Sequence, residues 1–308
     1  MTDLVVLDTV SRWYGNVLGL SRVTLSFRSG VTALLGPNGA GKSTLLRLIC
    51  GLLKPSSGNL RVFGEPAFAN PAVFRRLGMV PEEEEFRARV TGEAWLRHLL
   101  TLSGLNEAEA SDRARETLEE VGLSEASGRP VPGYSRGMKQ RLRIAQAIAH
   151  RPDIIVLDEP LTGLDPVGRR EVISWIRKWG DEGRSVIVSS HILHEVELMT
   201  KEVVLLSAGR VMASGNVHEI RELLDRYPHR IRVTTPAPRQ LAARLLEVPG
   251  LVSISFSEED REVQLETREP ERFFHRLAEM AAEQKLEISE LSSPDDNLES
   301  VFHYLTQR

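Results

Sequence analysis

The chain holds a single cysteine, Cys50. An intrachain disulfide framework is therefore excluded, and a reducing compartment is expected. Cys50 sits inside an apolar helical run, which reads as core packing rather than a reactive thiol. Long hydrophobic runs are also missing. No stretch approaches the roughly 20 apolar residues that cross a bilayer as a helix, so a membrane part of the function is expected on another chain. The opening stretch MTDLVVLDTV carries acids and no long apolar centre, so it does not read as a secretory signal. Charge of one sign is not in large excess. A net charge of −4 supplies no global attraction to nucleic acid or an anionic membrane. No internal repeat and no low-complexity segment is visible.

What is present is ordinary for a globular protein, with 41% hydrophobic and 27% charged residues. At 308 residues the chain exceeds one usual compact domain, so a main domain with an appendage is expected. Residues 4–10 and 22–28 read as early strands, and VTALLG (31–36) as a buried strand entering a glycine-rich turn. KSTLLRLICGLL (42–53) has helical spacing and stops at KPSSG. Residues 58–80 read as short strands and turns around the core. Residues 91–150 read as mostly helical, broken by GLSEASGRPVPG. The apolar run IIVL, a helix over 166–181, the strand SVIVSS, a helix from about 192 and a hairpin near VVLLSAGRVMASG follow. Strand and helix alternate and the strands are apolar throughout, which predicts a mainly parallel α/β core with a helical insertion over about 82–150. After residue 222 the order becomes β-α-β-β-α-β, the order of a ferredoxin-like unit, followed by a last helix in DNLESVFHYLTQR. The expected domains are 1–222 and 223–308.

GPNGAGKST spans Gly36, Pro37, Asn38, Gly39, Ala40, Gly41, Lys42, Ser43 and Thr44 and satisfies the phosphate-loop pattern G-x-x-x-x-G-K-[ST] in full. It follows a strand and opens a helix, as the mechanism requires. Glycines let backbone N–H groups curl around phosphate oxygens, and the helix N-terminus adds a favourable dipole. Lys42 is expected on the β- and γ-phosphates and Ser43 on Mg²⁺. IIVLDEP ends an apolar strand with Asp158 and Glu159. At the carboxyl end of such a strand, Asp158 is placed to bind the Mg²⁺ shell and Glu159 to polarise an attacking water. SVIVSSH ends a further strand with His191, a candidate γ-phosphate contact.

Taken together these motifs resemble the ATP-binding subunit of an ABC transporter. Gly36–Thr44 resembles its Walker A motif, IIVLDE its Walker B, YSRGM (134–138) its signature and GLDP (163–166) its D-loop. His191 matches the switch histidine, and Tyr14 in RWYGNV the aromatic that stacks on adenine. The resemblance covers residues 4 to about 222 and implies a P-loop ATPase core of the ABC type. It also implies that two subunits close head to tail, each ATP lying between the Walker A of one and the signature of the other. On that basis Ser135 and the N–H of Gly137 are expected to meet the partner's γ-phosphate, and Asp165 to couple the two sites. Two departures stand out. The family commonly shows LSGGQ, whereas Tyr134, Arg136 and Met138 occupy three of those positions here. The family also usually places a glutamine where this chain has Glu82, which is expected to reach Mg²⁺ or its water. The run Glu82–Glu85 reads either as a solvated loop or as a surface facing the permease.

YSRGMKQR, the acid at the glutamine position and the LESVFHYLT tail resemble exporter ATPases that pair with separate ABC-2-type permeases. The resemblance therefore implies an ATP- and Mg²⁺-dependent ATPase. Its implied partners are a second copy of the chain and integral-membrane permease subunits, with no nucleic acid. Its implied location is the cytoplasm, on the inner face of the cell membrane. Two other readings are a soluble ABC ATPase acting on nucleic acid or ribosomes, and a non-hydrolysing regulatory subunit. The acidic balance argues against the first, and Glu159 with His191 against the second.

Overall fold

Apolar runs without polar interruption become the central strands of this chain. β3 (Gly30–Leu35), β7 (Ile154–Leu157) and β8 (Ser185–Ser190) lie side by side, and every residue of β7 and β8 is buried. A parallel sheet covered on both faces demands such continuous runs, where a half-exposed sheet would alternate. The computed structural model describes residues 3–82, 86, 89–216, 228–246, 248–257, 262–284 and 288–292. The chain divides into two units, Met1–Gly215 and Asn216–Arg308.

In the first unit, β6 (Leu77–Val80), β9 (Glu202–Ser207) and β10 (Arg210–Asn216) complete a six-stranded sheet of order β10-β9-β3-β8-β7-β6. The pairs β9–β3, β3–β8, β8–β7 and β7–β6 are parallel. A second sheet is antiparallel and runs in the order β2-β1-β4-β5, from β1 (Val5–Tyr14), β2 (Val17–Phe27), β4 (Ser57–Val62) and β5 (Glu65–Pro66). The strands expected over 4–10 and 22–28 are present and longer, at Val5–Tyr14 and Val17–Phe27. β1 and β2 extend past their apolar segments because cross-strand pairing continues through Trp13↔Leu18 and Tyr14↔Val17. Helix α1 (Lys42–Ile49) joins the two sheets. Its Leu45, Leu46, Leu48 and Ile49 share one buried cluster with Leu7, Leu20 and Phe27 of the antiparallel sheet and Leu34, Val156, Ile187 and Val204 of the parallel one. Each such side chain contributes about 1.5–3 kcal/mol on burial, so the helix that starts at the phosphate loop is firmly held.

Short α2 (Pro71–Phe74) leads into β6. The insertion between β6 and β7 holds α3 (Gly92–Leu102), α4 (Glu107–Glu120) and α5 (Arg136–Ile148). A reciprocal capping box of Asn106 and Glu109 opens α4. Helices α6 (Pro166–Asp181) and α7 (Leu193–Met199) follow β7 and β8. The order β-α-β-β-α-β is met in the second unit by β11 (His229–Thr234), α8 (Pro238–Leu245), β12 (Leu251–Phe256), β13 (Glu262–Thr267), α9 (Pro270–Gln284) and β14 (Glu290–Ser292). Its antiparallel sheet has the order β12-β13-β11-β14. Ile231, Val233, Val263 and Leu265 pack there against Leu241, Leu245, Phe273 and Leu277 of the two helices. The expected last helix over 296–308, the expected boundary at 222 and residues 83–85 of the acidic run lie outside the described residues.

Candidate functional site

β3, β8 and β7 are neighbours and point the same way, so their carboxyl ends open on one edge of the sheet. The phosphate loop follows β3, His191 follows β8, and Asp158 with Glu159 follows β7. Three motifs far apart in sequence are thereby brought to one crevice.

The loop backbone is built on glycine where space or conformation demands it. A Cβ on Gly36 would lie 2.5 Å from the Leu206 carbonyl oxygen. Gly41 caps α1 with φ +104°, and a Cβ there would lie 2.8 Å from the Gly19 carbonyl oxygen. Residues Pro37 to Thr44 line a cavity of about 380 Å³ together with Tyr14, Val17, Leu18, Gly19, Glu82 and Glu159. Lys42 is buried. Its Nζ donates to Gly36 O at 2.6 Å and to Pro37 O at 3.4 Å, and stands 3.2 Å from Glu159 Oε1.

Glu159 is the most constrained residue of the crevice. It holds φ +48°, the left-handed region that costs a residue with a side chain about 1–3 kcal/mol. Its N–H donates to Ser189 Oγ at 2.8 Å, and that hydroxyl donates to Asp158 Oδ1 at 2.7 Å. Its Oε2 lies 3.0 Å from His191 Nδ1, which donates to it when that nitrogen carries the proton. Its Oε1 is buried and, beside the Lys42 ion pair, has no hydrogen-bond partner. Glu159 lines the phosphate-loop cavity, so a buried carboxylate held by a cation and a histidine stands at its wall. Asp158 is almost wholly buried on the same strand end.

Among the described residues no cluster of three or more His, Cys, Asp or Glu is arranged to hold a metal ion. That donor set still fits Mg²⁺ in a phosphate-loop site, where the ion takes few protein ligands and completes its shell with phosphate oxygens and water. Ser43 and Glu82 are on the cavity wall, and Asp158 stands at the neighbouring strand end. Tyr14 reaches the loop from the end of β1. Its hydroxyl lies 3.4 Å from Thr44 Oγ1, and its ring is part of the cavity wall.

The second candidate cradle stands apart from this cavity, since none of residues 134–138 lines it. Ser135 caps α5, its Oγ accepting from the Met138 N–H at 3.2 Å. Tyr134, at the departing first position, is buried and donates from its hydroxyl to Ala126 O at 2.6 Å. Burial pushes the Tyr134 phenol above its usual range. Arg136 lies against Gly163, where a Cβ would stand 3.0 Å from its Nη2. Asp165 caps α6 by accepting from the Gly168 N–H at 2.8 Å. Two residues that sequence reasoning missed tie these parts together. Ser189 bridges Asp158 and Glu159, and buried Gln140 donates from α5 to Pro160 O at 2.9 Å. The only signal for Ser189 was its place two residues before His191 at the end of an apolar strand.

A phosphate loop after one parallel strand, acids after a second and a histidine after a third define a P-loop ATPase core. The family profile described as ABC transporter matches residues 20–162. Over 295 residues the chain is 33% identical to the daunorubicin/doxorubicin resistance ATP-binding protein DrrA of Streptomyces peucetius, a match covering 95% of this chain and 89% of DrrA. It is 40% identical over 190 residues to YxlF, an uncharacterized ABC transporter ATP-binding protein of Bacillus subtilis (strain 168), across 62% of this chain and 63% of YxlF. A solved structure of an ATP binding subunit of an ABC transporter matches with a TM-score of 0.66 and 31% identity, over 72% of this chain and 93% of that one. The chain belongs to the family of ABC transporter ATP-binding proteins.

Proposed function

We propose that this chain hydrolyses ATP to power export through a separate membrane permease, working as a dimer on the cytoplasmic face of the cell membrane. The observation that carries the catalytic part is Glu159, fixed by Ser189, His191 and Lys42 on the wall of the phosphate-loop cavity. Lys42 and the loop N–H groups neutralise the phosphate oxygens. Glu159 accepts the proton of the water that attacks the γ-phosphorus, and His191 holds the carboxylate in place from its other oxygen. Ser43, Asp158 and Glu82 would hold Mg²⁺, which would supply further charge neutralisation on the phosphates. The Lys42–Glu159 pair gives way when phosphate enters, so the lysine turns to the nucleotide and the glutamate to water.

Ser135 and Gly137 lie outside the cavity of their own chain, which supports their use on a nucleotide held by a second copy. Among the described residues no helix is long and apolar enough to cross a membrane, which suits a subunit that borrows its membrane path from a partner. The relative named for daunorubicin/doxorubicin resistance supports export as the direction. Glu159→Gln tests the catalytic reading. It is expected to bind ATP as the wild type does and to lose at least about a hundredfold in turnover, read by phosphate release. Turnover near the wild-type rate would remove Glu159 from the role of base.

A further inference from the structure

Tyr14 is 40% exposed, yet three contacts fix its ring. The Arg12 guanidinium carbon lies 4.9 Å from the ring centroid, over the ring. Gly19 meets the ring edge so closely that a Cβ there would stand 2.8 Å from Cε2. Thr44 Oγ1 lies 3.4 Å from the hydroxyl. Arg12 is itself anchored, its Nη1 donating to Lys54 O at 2.8 Å. Its Nε is buried with no hydrogen-bond partner, and it forms no ion pair among the described residues. A guanidinium without a carboxylate, with one nitrogen desolvated and unsatisfied, is costly to keep. The ring that it covers is what the cation has in return, through attraction to the aromatic face.

We infer that Arg12 is a positioning residue for nucleotide binding: it backs one face of Tyr14 so that the other is held ready to stack on the base of a bound nucleotide. The inference rests on the reading of this cavity as an ATP site with Tyr14 beside the base. A free tyrosine side chain at the end of a hairpin strand samples several rotamers, and stacking has to overcome the entropy of fixing one. Arg12 removes that cost before the nucleotide arrives. The backbone around Tyr14 does not depend on the Arg12 side chain. The Trp13 N–H donates to Ser56 Oγ at 3.0 Å, and the Ser56 N–H to Ser11 O at 2.8 Å. Variants at position 12 therefore keep the strand in place.

The test compares two probes on the full chain by calorimetry, MgATP and magnesium tripolyphosphate, the second lacking a base. Arg12→Met, which keeps the aliphatic stem and loses the cation, is expected to bind MgATP about threefold to tenfold more weakly and tripolyphosphate as the wild type does. Arg12→Lys, which keeps a cation, is expected to fall between them. In a Tyr14→Ala background the Arg12→Met effect is expected to vanish, because Arg12 acts only through that ring. Equal losses for both probes, no loss for MgATP, or an undiminished effect without Tyr14 would each overturn the inference. A wild-type chain that binds no MgATP would overturn the ATP-site reading as well, so the two failures are told apart by the wild-type titration. Thermal melting of each variant accompanies the titrations, and Arg12→Lys serves where Arg12→Met does not fold.

Discussion

Ser189 serves two acids with one hydroxyl, donating to Asp158 and accepting from the Glu159 N–H. Its removal leaves a buried carboxylate oxygen and a buried N–H unsatisfied, at about 1–3 kcal/mol for each group. It also releases the left-handed turn that aims Glu159. Ser189→Ala is therefore expected to lower ATP turnover by about tenfold or more while nucleotide affinity changes little, as read by steady-state kinetics beside equilibrium binding. Unchanged turnover would show that the turn holds Glu159 without Ser189. Lys42, Asp158, Glu159 and His191 are legible in the sequence because each closes or follows a recognisable run. Ser189 and Gln140 are not, because their partners are 20 to 31 residues away and the meeting is made only by neighbouring strands and loops.

Helix α5 carries the Ser135 cap at one end and meets the parallel sheet at the other. Just past that end His150 Nε2 lies 3.2 Å from Leu77 O of β6 and donates to it. Burial holds the His150 pKa below its usual value, and the Arg113 charge adds to the effect, while the bond to Leu77 opposes both. The folded state thus favours neutral His150. The unfolded chain binds a proton at its ordinary pKa near ~6.5, so the folded chain takes up fewer protons in the interval below that value. Stability is complete above about pH 6.5 and falls as pH drops through the interval. Thermal melting between pH 7.5 and 5.5 is expected to show a smaller loss for His150→Gln, whose amide can still donate to Leu77, than for the wild type. Parallel curves would contradict that assignment. The elements themselves are legible where burial is two-sided, as in β3, β7 and β8. They are less so in β1 and β2, where pairing across the hairpin continues through exposed Trp13, Tyr14 and Val17 and no periodic apolar signal marks the ends.

At the level of the whole chain, the sequence predicts two phosphate-type cradles, and the phosphate-loop cavity of a single copy is lined by none of residues 134–138. The α/β core and the ferredoxin-like order of the second unit are both readable from the alternation of strand and helix, because local periodicity governs each element. The antiparallel sheet is not, because it assembles strands separated by the whole phosphate loop and α1. The proposed working form makes each ATP site from two copies, the phosphate loop of one and the Ser135 end of α5 from the other. The lone native cysteine makes this directly measurable, since Cys50 is buried and its thiol pKa is pushed up by that burial. Asn38→Cys in one preparation and Ser135→Cys in another, both carrying Glu159→Gln, are mixed with MgATP under mild oxidation and resolved without reductant. The account predicts a covalent dimer that forms in the mixture, needs nucleotide and is absent from either preparation alone; no such dimer between folded, ATP-binding chains would contradict it.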